Sequence, residues 1–294
     1  MLATSVPLAL VKSPLNYTGG KFKLLPQILP LFPTDIGIFV DAFGGGGNVI
    51  ANVSAHNHVY NDQDVSVTGL LSWLATTTPD EAVAQVEAVI AHFGLSKTNK
   101  DGFLAVRNFY NGGDRFPAVF YALIAHGFNN QIRFNSKGGF NIPFGTDRSE
   151  FNPALRERFL AFTRRLNSMN IEFLSGDFTK ILVADNSFVY CDPPYLITDA
   201  TYNTSSGGWG HDDEARLEEW LYALDRRGIS WALSNVMEHQ GHRNISLETF
   251  AENFYVTDLS ASYANASYHK KDRTSESREV LVTNFTVSSP HISI

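Results

Sequence analysis

Asp192-Pro193-Pro194-Tyr195, set directly behind the strand-like run Ser187-Phe188-Val189-Tyr190-Cys191, are the residues whose types and spacing most directly suggest a chemistry. An amine conjugated to an aromatic ring is a weak nucleophile, because its lone pair is spread into the ring. A carboxylate and a carbonyl that accept its hydrogens favour the pyramidal form as an electrophilic methyl group approaches, and a tight Pro-Pro turn holds both acceptors in place. Tyr195 adds a face on which a planar ring can stack. The same four residues also suit a plain turn after a buried strand, so the surrounding elements must decide.

Such acceptors need a scaffold that presents a methyl donor, and the amino-terminal third supplies its pattern. Ile38-Phe39-Val40-Asp41-Ala42-Phe43 reads as a buried strand, Gly44-Gly45-Gly46-Gly47 as a turn and Asn48-Val49-Ile50-Ala51 as the start of a helix. Glycines there let the backbone approach a ligand, as at the carboxyl ends of parallel strands in nucleotide-binding folds. A second strand, His58-Val59-Tyr60, ends in Asn61-Asp62, where an acid can accept bonds from two ribose hydroxyls. This pattern suits an adenosine-containing cofactor. Phe43 to Gly47 lacks the GxGxxG arrangement that seats a pyrophosphate on a helix, which favours a cofactor without phosphates.

Apolar residues recur at helical spacing over Glu81 to Phe93 and Ala154 to Met169, and the region from Thr68 to Phe128 is mostly helical in pattern. This interrupts the strand and helix alternation. The pattern predicts an inserted helical subdomain carrying a hairpin, with Ile132-Arg133-Phe134-Asn135 and Phe140-Asn141-Ile142 as arms and Gly138-Gly139 supplying positive φ angles. Alternation resumes with strands at Ile171–Leu174 and at the Asp192 motif, a helix over Asp213 to Arg226, and a strand at Ile229–Ser234. Phe254 to Leu259 and Glu279 to Phe285 predict two more strands, and the Thr, Ser, Asn and Gly between Pro194 and Trp209 a mobile loop.

Composition sets the bounds. At 294 residues, 44% hydrophobic and 18% charged, the chain can bury a full core and reads as an ordinary soluble protein. The apolar run Val6 to Val11 is too short to span a bilayer and has no basic region before it, so the expectation is no membrane partner and a cytoplasmic location. One cysteine, Cys191, excludes an internal disulfide framework and thiolate-rich metal sites. A net charge of -7 argues against general attraction to nucleic acid, yet between Lys97 and Arg165 eleven Lys and Arg face five Asp and Glu. A second basic cluster comprises Lys270, Lys271, Arg273 and Arg278. A basic footprint on one face and scattered solvated charge both fit these counts.

With these residues assembled, the chain resembles the Dam-type DNA adenine-N6 methyltransferases, especially their phage branch, over nearly its whole length. Asn16-Tyr17-Thr18-Gly19-Gly20-Lys21 resembles the family's amino-terminal cofactor motif, Phe39 to Gly47 its glycine motif, Asn61-Asp62 its ribose-binding acid, and Asp192 to Thr198 its catalytic motif. His126-Gly127-Phe128-Asn129-Asn130 through Asn141-Ile142-Pro143-Phe144-Gly145 is similar to the target-recognition hairpin, and Leu233-Ser234-Asn235-Val236 with Glu238-His239 also follows the pattern. The resemblance implies an α/β, S-adenosylmethionine-dependent (Rossmann-like) sheet with a reversed carboxyl-terminal strand. Residues 1–67 and 156–294 would form the catalytic, cofactor-binding part, and 68–155 the recognition insertion.

It also implies roles. Tyr17, Lys21, Asp41, Phe43, Gly45, Gly47, Asp62, Asp177, Phe178 and Asp192 would bind S-adenosyl-L-methionine. Asp192, Pro193, Pro194 and Tyr195 would form the active site around an adenine flipped out of double-stranded DNA. Asn129, Asn130, Arg133, Asn135, Lys137, Arg148 and Lys270 would contact DNA, with Arg133 suited to guanine and Asn135 to adenine. Lys137, Arg148 and Lys270 look like phosphate contacts. No metal is implied, and the working unit would be a monomer or weak dimer. The family's usual target is GATC, but Thr146-Asp147 stand where it tends to place basic residues. DPPY-like turns also serve cytosine N4 and RNA adenine, and a catalytically idle DNA-binding protein is a third reading.

Other features have simpler explanations. His56-Asn57-His58 spells a metal-nuclease signature but reads as a connector, and His239 with His242 as a polar loop without a third metal ligand. Trp73, Trp220 and Trp231 fall in apolar stretches and read as core, and Asp212-Asp213-Glu214 as a helix start.

Overall fold

The computed structural model describes residues 9–197, 208–259 and 277–287. Its centre is one eight-stranded sheet. β1 (Ile38–Asp41), β2 (Asn57–Asp62), β3 (Ile171–Ser175), β4 (Ser187–Cys191) and β5 (Ser230–His239) run parallel, with β1 between β2 and β4. The short β6 (His242–Arg243) pairs with the end of β5. β7 (Tyr255–Leu259) closes the far edge beyond β8 (Ser277–Thr283). Strand order is β3-β2-β1-β4-β5-β8-β7. β8 is antiparallel to both of its neighbours, which is the reversed carboxyl-terminal strand expected of the fold.

β4 is buried at all five positions, as a central parallel strand covered on both faces must be. On one face Phe39, Tyr60, Phe188 and Tyr190 join the larger core with α1 (Leu25–Ile28), α2 (Val65–Thr76), α3 (Pro79–Phe93), α4 (Lys100–Asn111), α5 (Pro117–His126) and α6 (Pro153–Asn167). On the other, Val40, Val189 and Trp231 pack under α7 (His211–Arg226) and α8 (Ile245–Ala251).

Helix starts follow their caps. Asp64 accepts from the amides of Ser66 and Val67, Thr78 precedes Pro79, Asn99 caps α4, Asn152 precedes Pro153, and Asn244 caps α8. Gly94 ends α3 with φ +60°. Asp213, read as part of a helix start, accepts from the Gly210 amide at the head of α7.

Several local expectations are corrected. The helix after the glycine turn shrinks to one 3-10 turn, Ile50–Asn52, because the chain must return at once to β2. The expected hairpin is reduced to isolated antiparallel bridges, Phe134 with Phe140 and, further out, Gly127 with Phe144, and only Gly138 of its glycine pair has positive φ, +73°. His56 is exposed, but Asn57 and His58 belong to β2, where the buried His58 ring bonds the Val53 carbonyl. His239 and His242 face each other across the β5–β6 pair. Trp231 is fully buried, while Trp73 and Trp220 pack against Phe159 and Phe178 from the rim. Helices α2 and α6 pack on each other and share the core of the sheet. Most of the loop read between Pro194 and Trp209 lies outside the described residues.

Candidate active site

Strand register brings three acids together. Asp41 ends β1 and pairs with Tyr60 of β2 and Tyr190 of β4. Asp62 and Asp192 stand two residues beyond those partners. With a side-chain period of two, all three acids project on the same side at the carboxyl ends of adjacent parallel strands.

Asp41 is 1% exposed, and neither carboxylate oxygen has a hydrogen-bond partner. The Phe43 and Ile50 amides face it without reaching bonding geometry. Burial, reinforced by the nearby charges of Asp192 and Asp62, pushes its carboxyl well above the ordinary range. Asp62 differs, since its Oδ1 accepts from the Asp64 amide at 2.8 Å and its Oδ2 from the Gly45 amide at 2.8 Å. Burial still pushes it up to about 6.

The glycine turn is shaped by two tyrosines. A Cβ on Gly44 would lie 2.1 Å from the Tyr60 ring, and the Tyr60 hydroxyl donates to the Gly45 carbonyl at 2.7 Å. Gly45 (φ +48°) and Gly46 lie against Tyr17, while Gly47 (φ +75°) backs onto Leu71 and Phe162. Any side chain at Gly44 would have to displace a buried ring. Beside this cradle, Phe43 packs on Phe178 and Trp209, with ring centroids at 5.2 and 5.6 Å. Phe178 is only 2% exposed, so Phe43 and Trp209 form the accessible part of that aromatic wall. Asp177 accepts from the Thr179 amide and hydroxyl and from Arg216. Burial alone would raise its carboxyl, and these bonds outweigh it, lowering the group to about 2.

Lys21 is buried, and its Nζ reaches Asp192 Oδ1 at 2.7 Å, Glu279 Oε1 at 3.4 Å and the Gly19 carbonyl at 3.2 Å. It also bonds the Tyr195 hydroxyl and lies 4.8 Å from that ring's centroid. Tyr195 in turn bridges Asp192 Oδ1 at 3.1 Å and Glu279 Oε1 at 2.9 Å. Burial opposes the Lys21 charge, but Asp192 and Glu279 outweigh it and raise the ammonium. Asp192 is raised, because burial exceeds the relief given by Lys21.

The segment expected to contact DNA is largely exposed and held by side chains. Asn130 donates to the Ile124 and Ala125 carbonyls at the end of α5, and the carbonyl of Asn129 accepts from Asn16 at 2.7 Å. Asn129 and Asn130 both have positive φ, +54° and +53°. Asn135 Oδ1 accepts from the Lys137 and Gly139 amides, so this oxygen is engaged in the turn. Arg133 lies on the exposed side of the bridge and donates to the Asn141 side chain and carbonyl. Lys137 and Arg148 are exposed. Asp147 takes φ +59°, and its amide donates to the Lys97 carbonyl at 2.8 Å. Lys270 and Thr198 lie outside the described residues. Among the described residues no three His, Cys, Asp or Glu side chains could hold a metal ion, and no helix is long and apolar enough to cross a membrane.

Residues 17–276 match the family described as D12 class N6 adenine-specific DNA methyltransferase, a span that contains the cradle, the three acids and the bridge. The chain belongs to that family. It is 42% identical over 282 residues to the type II methyltransferase M.FokI of Planomicrobium okeanokoites and 41% over 283 to the modification methylase StsI of Streptococcus sanguinis. Both alignments cover 94% of this chain, which spans 43% of the length of each relative. It is also 29% identical over 230 residues to the DNA adenine methylase of Vibrio cholerae, covering 75% of this chain and 80% of that protein.

In this D12-class chain, three residues beside the site escaped sequence reading. Glu279 was legible only as part of a strand, although an acid at the mouth of the apolar run Val280-Leu281-Val282 is a signal in itself. Glu214 is 2% exposed and accepts from Trp209, Asn235 and Asn244, tying the aromatic wall to β5. Trp209 looked like the end of a loop.

Proposed function

We propose that the chain is the catalytic part of an adenine-specific DNA methyltransferase that modifies a short duplex sequence using S-adenosyl-L-methionine. The observation that carries this reading is the buried, partnerless Asp41 beside a glycine cradle, two residues of register away from Asp192. An unsatisfied buried acid suits the ammonium of an amino-acid moiety, Asp62 suits a pair of ribose hydroxyls, and Phe43, Trp209 and Phe178 suit a planar base. Tyr17 and Lys21 close the same pocket. When bound, S-adenosylmethionine supplies an electrophilic methyl group on a sulfonium.

Asp192 Oδ2 and the Pro193 carbonyl then accept the two hydrogens of the target amine, with Pro194 stiffening the turn. The amine is paired inside a duplex, so the adenine must leave the stack at a cost of a few kcal/mol. Stacking on Tyr195 offsets about 1–3 kcal/mol of this. Residues 68–155 supply recognition: Arg133 reads a base edge, Asn129, Asn130 and Asn135 shape the segment, and Lys137 and Arg148 contact phosphates, joined by Lys270 from the catalytic part. GATC is the first candidate target, and a restriction–modification setting fits the names of the type II relatives.

The test treats a random duplex library with the protein and methyl-labelled S-adenosylmethionine, then digests one portion to nucleosides and maps modified sites in another. Label in N6-methyladenine within one short sequence is expected. Label in N4-methylcytosine or in no nucleoside overturns the reading.

A further inference from the structure

Glu279 sits on β8, opposite Val236 of β5, where the register between the strands shifts between Val236 and Glu238. Bulges of this kind re-aim side chains beside active sites. Its residue is 8% exposed, and Oε1 takes the Tyr195 hydroxyl at 2.9 Å and the Lys21 ammonium at 3.4 Å. Asp192 receives the same two donors, both on Oδ1. One ammonium and one hydroxyl are therefore shared between two acids, and among the described residues Asp192 Oδ2 has no donor. Two carboxyl groups thus face one ammonium in the cluster.

Resting on the methyl-transfer reading above, we propose that Glu279 is a positioning residue that keeps the active site electronegative by drawing Lys21 and Tyr195 away from full pairing with Asp192. As the amine lone pair forms the new N–C bond and the old C–S pair stays on sulfur, positive charge moves onto the amine nitrogen. One N–H proton then leaves to water. A carboxylate fully neutralised by its own lysine is a weak acceptor for that amine, whereas one that shares the lysine keeps its pull. Glu279 also anchors the phenol of Tyr195 in the plane a stacked base needs. The groups facing Asp192 are Lys21 and Tyr195, Glu279 from β8, Asp41 from β1 and Tyr190 from β4. Of these, Lys21 favours the ionised acid and Glu279 disfavours it, so removing the Glu279 charge moves Asp192 titration to lower pH.

The experiment is single-turnover methyl transfer by Glu279→Gln and Glu279→Asp, with donor and duplex DNA saturating, across pH 4.5 to 8.5. Expected for Glu279→Gln is a roughly 10- to 100-fold slower transfer, dissociation constants for donor and DNA within about threefold of the parent, and an acid limb displaced to lower pH, each unit of displacement being about 1.4 kcal/mol. Glu279→Asp restores part of the rate. An unchanged rate, or a slower rate with an unmoved acid limb in both variants, overturns the proposal. If Glu279→Gln does not fold by circular dichroism, the Glu279→Asp profile decides, because its shorter reach loosens the bridge while keeping the charge: a parental rate and limb overturn the proposal and a partial loss supports it. A parent protein without adenine methylation would instead refute the underlying function, a result separable from any effect at Glu279.

Discussion

The pocket at the strand ends and the segment proposed to read DNA are built by opposite means. Asp41, Asp62 and Asp192 are fixed by parallel register, buried or nearly so, and held away from ordinary carboxylate behaviour chiefly by lost water, with neighbouring acids adding to it. Arg133, Asn135 and Lys137 ride on a segment with two isolated bridges, several positive-φ residues and side chains that bond their own turn. The contrast teaches that charge in the first region acts by being desolvated, and in the second by being available. Substitutions in the pocket should disturb stability and chemistry together, while those in the hairpin should disturb binding alone.

The largest effect on stability is expected at Gly44. Gly44→Ala forces a methyl group into the Tyr60 ring, costs about 3 kcal/mol of stability at the upper end of overpacking and removes donor binding, as thermal unfolding and calorimetry would measure. Parental stability would break the rigid half of the comparison. Arg133→Ala comes next, weakening binding to the preferred duplex by about 1–3 kcal/mol, or roughly 5- to 150-fold, with no change in melting temperature. A matching loss of affinity for all sequences would remove its base-reading role.

Asp41→Asn sharpens the electrostatic side. Asp41 has a folded-state value raised above the ordinary 3.8, so the native state holds its proton more tightly than the unfolded chain does. Stability from this group is fully present below that unfolded value and is lost as pH rises through the folded one. The variant escapes the loss, so at pH 7.5 it should melt about 2–4 °C above the parent, equivalent to about 1 kcal/mol, while binding S-adenosylmethionine more weakly. The gap should close by about pH 4, and equal gaps at both pH values would contradict the desolvated-acid account. Smallest is Lys137→Ala, expected to weaken all duplexes alike and to lower the slope of log affinity against log salt by about 0.9. A sequence-dependent loss would mark it as a reader instead.

The same contrast explains what the sequence could show. Asp41, Asp62 and Asp192 were legible because each ends an apolar run, and strand ends in an α/β sheet converge whatever the details of packing. The reversed order at the carboxyl end followed from two apolar runs and the family pattern. Glu279 was not legible, since its role depends on a bulge and on β8 inserting between β5 and β7, a long-range pairing that no local pattern encodes. The hairpin failed in degree: its arms alternate in sequence, but Asn111 at the end of α4 bonds the Phe140 backbone and Arg115, between α4 and α5, the Gly138 carbonyl, so side chains supply partners that a longer ladder would have used. The helix expected after the glycines lost to the short path into β2.

The central claim is that Asp192 accepts the target amine directly. Single-turnover transfer by Asp192→Asn, with donor and duplex both bound, tests it: the amide keeps the shape and loses the charge. The account predicts affinities near those of the parent and a rate of N6-methyladenine formation lower by at least about a thousandfold, roughly 4 kcal/mol of lost transition-state stabilisation. Transfer at the parental rate would contradict it.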